Sequence, residues 1–203
     1  MAKFAQNANK AAQALSASTL EYSNAALIYY QQGLSDKEVS KRVETTVKLA
    51  KVTGESTSKV SQQMTAVWNN FSNGLDNLER YADVMTALGA TTASSSSEIA
   101  KGLEKFAAIS NTIGLSYDYA ATALATVTAQ TRQSADQVGT SFKTLFSRLE
   151  SLNLGDTLDD GVSLSKYSQA LAKVGVNVLD VNGQLKNMDT ILDDLGSKWD
   201  SLN

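Results

Sequence analysis

Three short stretches place a serine where a hydrolase would need one: GLSDK at residues 33–37, GESTS at 54–58 and GLSYD at 114–118. Each begins like the Gly-x-Ser-x-Gly elbow, in which a tight turn exposes the serine hydroxyl. All three lack the second glycine, and the chain contains no His to take the hydroxyl proton, so a Ser-His-Asp relay cannot be assembled. Cys is also absent, which removes thiol catalysis, disulfides and, with His, any His-containing zinc site, while leaving the compartment open. The carboxylate pairs Asp159-Asp160 and Asp193-Asp194 sit side by side, so their side chains diverge, and no separated partner completes an acid/base or metal pair. From Asp180 to Asp189, DVNGQLKNMD has the look of a calcium loop, but Gly183 falls at position four where that loop needs glycine at position six. No catalytic residue, cofactor site or metal site is therefore expected.

Binding of nucleic acid is the remaining chemistry to weigh. Lys37, Lys41, Lys48 and Lys51 project within about 80° of one another on an ideal helix, but Glu44 lies inside the stripe and blunts it. Tyr22, Tyr29, Tyr30, Trp68, Phe71 and Tyr81 recur at helical intervals suited to packing rather than to base stacking. With 18 basic and 21 acidic residues the net charge is -3, too small to steer the chain to a polyanion or an anionic membrane.

If the serines do not react, they must do something structural, and the elements around them say what. A length of 203 residues and 42% apolar content suit a folded globular chain, and the complete absence of Pro favours long helices. Ser18 with Glu21, Ser35 with Glu38, Ser95 with Glu98 and Ser134 with Gln137 are capping boxes, in which two backbone N–H groups at a helix start are satisfied reciprocally. Ser56 and Ser116 follow Gly54 and Gly114, so that the glycine stops one helix and the serine caps the next. Between these punctuation marks apolar residues recur every three or four positions: Val39, Val43, Val47 and Ala50; Val60, Met64, Val67 and Phe71; Ile99, Leu103, Phe106 and Ile109; Val138, Phe142, Leu145 and Leu149. These patterns predict an all-α fold, an antiparallel bundle or array of about eight short helices filling residues 1–154.

Sliding the chain by 60 residues overlays Ser35 on Ser95, Glu38 on Glu98, Lys41 on Lys101, Gly54 on Gly114 and Ser56 on Ser116. The segments 35–67 and 95–127 thus read as a duplicated helical hairpin, although any two capped amphipathic helix pairs share Ser, Gly and Glu at such places. Two units are too few for a solenoid. Beyond Leu152 the composition turns to Gly and Asp, predicting a linker at 155–163. Residues 164–203 then read as a helix, a small β-hairpin at about 176–187 turning at Asn182-Gly183 in type I′ geometry, and a C-terminal helix with Ile191, Leu192, Leu195 and Trp199 on one side. No stretch is apolar enough to span a membrane and the start lacks a signal core.

The order of these features resembles the core region of phage tail tape measure proteins. Ala82-Asp83-Val84, the helix start from Ser95 to Glu98, Gly114-Leu115-Ser116, the run from Ala120 to Leu124, Gly139 and Arg148-Leu149 follow the family's sequence of motifs, and residues 31–71 and 175–202 are similar to its flanks. Family members are usually much longer, so the resemblance implies one module of a larger chain. It also implies a non-enzymatic virion protein of the tail lumen that sets tail length, templates tube assembly and takes part in genome ejection. The partners it implies are tail tube protein, tail assembly chaperones, distal tail or baseplate proteins and further copies of the chain, with no sequence-specific nucleic acid. A helical secreted effector or membrane-active delivery module is the alternative on sequence alone.

Overall fold

A computed structural model describes residues 2–71, 77–150 and 164–201. Among them are ten α-helices: α1 (Ala2–Ala14), α2 (Thr19–Tyr30), α3 (Asp36–Thr53), α4 (Thr57–Phe71), α5 (Leu78–Thr91), α6 (Ser96–Thr112), α7 (Tyr117–Thr131), α8 (Ala135–Glu150), α9 (Leu164–Lys173) and α10 (Met188–Lys198), the last running into a short 3-10 turn at Trp199–Ser201. The all-helical class agrees with the sequence reading.

Local chemistry sets the helix starts. Ser35 Oγ accepts the Glu38 N–H at 3.4 Å while the Glu38 carboxylate accepts the Ser35 N–H at 2.9 Å. The same reciprocal pair forms at Ser18–Glu21 and Ser95–Glu98, and with an amide in place of the carboxylate at Ser134–Gln137. Gly54 and Gly114 adopt φ of 71° and 67°, a left-handed conformation that a side chain would strain, and each reverses the chain within three residues.

Packing follows a regular rule. From α2 to α8 each helix packs on its next neighbour in sequence, and on its immediate neighbour too except between α4 and α5, as in α2 with α3 and α4, α5 with α6 and α7, and α6 with α7 and α8. The 60-residue step extends beyond the hairpin to a three-helix unit. Thr57–Phe71 moved by 60 is 117–131, the bounds of α7, and Asp36–Thr53 becomes 96–113, one residue longer than α6. α2 and α5 correspond in the same way to within a residue at each end. Buried positions coincide too: Val39 with Ile99, Val43 with Leu103, Val47 with Ala107, Val60 with Ala120 and Met64 with Leu124. Next along, α8 meets α6 as α5 meets α3, for Lys101 pairs with Asp136 at 3.4 Å just as Lys41 pairs with Glu79 at 3.4 Å.

One core runs through the array, with Trp68, Tyr29 and Phe106 among its largest fully buried side chains. Burial of each such group stabilises by roughly 1.5–3 kcal/mol. The most extensive interhelical contact joins α6 to α8, where Gly102 and Gly139 cross: a Cβ on Gly139 would lie 2.5 Å from the Gly102 carbonyl oxygen.

Two expectations fail. The predicted β-hairpin at 176–187 is not formed: among the described residues there is no β-strand, and the segment holds one isolated antiparallel bridge, Leu179 with Leu185. Of Asn182-Gly183, only Gly183 has positive φ, whereas a type I′ turn needs it at both central positions. The Asp180 carboxylate instead accepts the N–H groups of Asn182 and Gln184, both at 2.8 Å, and holds a longer loop. A ladder has no room to grow, because the Val176 N–H closes the end of α9 on Leu171 O and Asn187 already precedes α10. The second failure concerns α8 and the C-terminal helix. Leu145 is 48% exposed while Phe146 is 2% exposed, stacked with Phe142 and tilted against Phe106, and Trp199 stands in solvent beyond the end of α10. The side chain of Leu149, the linker at 155–163 and Asp159-Asp160 lie outside the described residues.

Candidate functional site

The serines singled out by the sequence are spread along the array rather than gathered, and each is engaged by its own helix start. Ser56 Oγ accepts the Lys59 N–H at 3.3 Å and Ser116 Oγ accepts the Tyr119 N–H at 3.2 Å. At Ser18, Ser35 and Ser95 the hydroxyl also donates to the boxed glutamate. These bonds hold Glu21, Glu38 and Glu98 below the usual carboxylate range. A hydroxyl so committed is a cap.

The lysine stripe on α3 turns inward on the protein itself. Lys41 and Lys48 pair with Glu79 at 3.4 and 3.1 Å, Lys48 also with Glu44 at 2.8 Å, and Lys51 donates to the carbonyls of Leu15 and Ser16 at the end of α1. The two lysines hold Glu79 below its ordinary pKa, Lys48 first through its hydrogen bond. Three of the four lysines thus clamp α3 to α1 and α5.

Two polar arrangements escaped the sequence reading. Arg42 lies in the apolar stripe between Val39 and Val43 and is only 7% exposed. Its guanidinium sits 5.8 Å from the ring centre of Tyr29 and 5.5 Å from that of Trp68, with Nη1 donating to Asn69 Oδ1 at 3.0 Å. Burial draws its pKa down from the ordinary arginine value. The signal was an arginine at a position where the helical period demands an apolar residue.

The other arrangement ties the C-terminal helix to the α6–α7 turn. The Met188 N–H donates to Ile113 O at 3.2 Å, and the Ser116 N–H donates to both Asp189 carboxylate oxygens at 3.0 and 3.3 Å. One turn on, Asp193 lies near Tyr119; burial first, then this carboxylate, hold the phenol above its ordinary pKa. A negative group is favoured there by the positive end of α7. Asp189 is thus a docking residue, and Asp180, the other end of the supposed calcium loop, is engaged by its own turn.

Of the other carboxylates, Asp194 faces Lys186 at 3.5 Å. Among the described residues no three acidic, His or Cys side chains converge as a metal would require, and no helix is long and apolar enough to cross a membrane. An open groove of about 610 Å³ between α9 and the 180–184 loop is lined by Ser168, Asn177, Val178 and Lys186, with its charged groups already paired or turned into the loop. The geometry is that of a scaffold whose polar groups hold helix to helix.

The sequence model describing phage-related minor tail proteins matches residues 6–203. The chain belongs to that family. A structural part in a phage tail follows, and it agrees with polar groups spent on caps and inter-helix clamps. No solved structure matches the chain.

Proposed function

We propose that this minor tail protein chain is a non-enzymatic module of a tape measure protein, lying in the lumen of the tail tube, setting tail length and leaving ahead of the genome at infection. The observation that carries this reading is the recurrence of one helical unit at a 60-residue step within a chain of the family. A ruler needs length proportional to residue number, and repeated Pro-free helices provide it once their breaks straighten, at about 1.5 Å per residue. Alone, the module stays folded because straightening would expose every apolar stripe to water. In the tube, sister chains, tail tube protein and the lumen wall cover those stripes; assembly chaperones cover them before that.

The test is an in-frame deletion of Asp36 to Ser95 in the full-length protein. It removes one 60-residue step and sets Ser35 three residues before Glu98, so the capping box is rebuilt. Mutant tails should be shorter by about 90 Å in electron micrographs. Tails of wild-type length, from a deletion chain that keeps its helical circular dichroism, would reject the ruler for this region.

A further inference from the structure

Between α9 and α10 the main chain runs extended, with one side bonded and the other bare. The Lys186 N–H donates to Val178 O at 2.9 Å and the Asp180 N–H to Gln184 O at 2.8 Å, flanking the Leu179–Leu185 bridge. In such a pair the N–H and C=O of one residue point to the same side, and that side alternates along the chain. Val178 and Asp180 face residues 184–186, so the main-chain groups of Asn177 and Leu179 turn the other way. Among the described residues nothing bonds those groups, nor the Val181 N–H beyond them. The groove of about 610 Å³ follows this segment: all five residues from 177 to 181 line it, opposite Ser168 and Ala172, one turn apart on α9. Five consecutive lining residues bring main chain as well as side chains to the groove.

This chemistry states the occupant. Bare donors and acceptors on alternate residues recur about 6.7 Å apart, which is the repeat of an extended main chain. The walls are small or apolar: Ala172, Val178, Leu179 and Val181, the last 100% exposed. Both charged neighbours are engaged, Lys186 with Asp194 at 3.5 Å and Asp180 with the N–H groups of Asn182 and Gln184 at 2.8 Å. An uncharged segment with β-branched side chains therefore fits. A second copy does not fit, because its own residues 177–181 are walled by its own α9 and the two walls would collide. We propose that residues 177–181 are an edge for an extended, uncharged segment of a partner protein, bonded main chain to main chain and held against α9.

The probe is the peptide acetyl-Lys-Val-Thr-Ile-Thr-Val-Lys-amide, titrated into the isotope-labelled intact chain and followed by backbone amide spectra and hydrogen exchange. The Asn177 and Leu179 amides should shift, saturate and exchange about tenfold more slowly, while those of Asp180 and Lys186, already bonded, change little. Protection on alternate residues marks an added strand; contact through side chains alone would not produce it. Ala172→Glu, on the exposed wall of α9, should weaken binding about tenfold with circular dichroism unchanged, and so should proline in place of the central Ile of the peptide. Unmoved Asn177 and Leu179 amides at millimolar peptide, equal protection of Val178, or undiminished binding by the Ala172→Glu chain or the proline peptide would each overturn the proposal. Protection that rises with chain concentration in the absence of peptide would give the edge to a second copy and overturn the partner reading.

Discussion

The first and second three-helix units share a frame and fill it with opposite chemistry. Where α3 carries Arg42 and Thr46, α6 carries Gly102 and Phe106; where α4 carries Ser61 and Trp68, α7 carries Ala121 and Thr128. In the first unit a guanidinium lies against Tyr29 and Trp68, and the Tyr29 hydroxyl bonds Thr46 Oγ1 at 2.6 Å. In the second, Phe106 packs on Phe142 and Phe146, and the backbones of α6 and α8 meet at Gly102 and Gly139. Helix starts and turns set the path of the chain, then, and leave the interior free to vary so long as each volume is filled.

The largest asymmetry should appear at one pair of equivalent positions. Phe106→Ala should cost about 3–5 kcal/mol, since a ring packed on Phe142 and Phe146 leaves a cavity, whereas Thr46→Ala should cost about 1–3 kcal/mol, since it takes the bonded hydroxyl from the buried Tyr29. Urea midpoints of the two variants decide it; equal losses would erase the distinction between the cores.

Next comes the crossing of α6 and α8. Gly139→Ala should destabilise by about 1–3 kcal/mol because the new methyl meets the Gly102 carbonyl, while the matching position on α5, by the Glu79–Asp136 equivalence, is already Ala82. A neutral result in thermal melts would mean that α8 shifts outward freely. Caps should behave alike in both units: Ser35→Ala and Ser95→Ala are each expected to cost about 1 kcal/mol. A several-fold difference between them would show that the helix starts are not equivalent.

The smallest effects are those of pH, and their signs follow from linkage. Burial pushes Tyr29 up to about 12 and raises Tyr117 as well. A raised folded value means that the unfolded chain loses the proton first, so this stability is complete below the unfolded pKa of about 10 and is lost as pH rises toward the folded values. Phenolate absorbance should accordingly lag for these two rings until the chain unfolds. Glu21, Glu38 and Glu98 are lowered, so their contribution is present above the ordinary value of 4.5 and disappears as pH falls through the folded one. Removing the box serine should flatten that acid limb.

Much of the frame was legible in the residues because it is local. A capping box needs three consecutive spacings, a left-handed glycine needs only itself, and the 60-residue step is a recurrence of both. The class of protein was legible only as an order of weak motifs along nearly the whole chain. Elsewhere local signals were ambiguous. Leu145 and Phe146 both fit a 3.6-residue period, and Phe106 across the core selected Phe146. Asn-Gly suits a tight hairpin in isolation, but the Asp180 carboxylate and the adjoining ends of α9 and α10 selected a longer loop.

By itself the sequence determined where helices begin and stop, that they are amphipathic, and that no His or Cys chemistry is open to the chain. Tertiary structure alone decided that Arg42 would lie against two aromatic rings, that Gly102 would meet Gly139, and that Asp189 would reach Ser116 across 73 residues. The physical reason is range: caps and turns are energies of a few adjacent residues, whereas crossing and docking depend on which surfaces meet after the whole chain has collapsed.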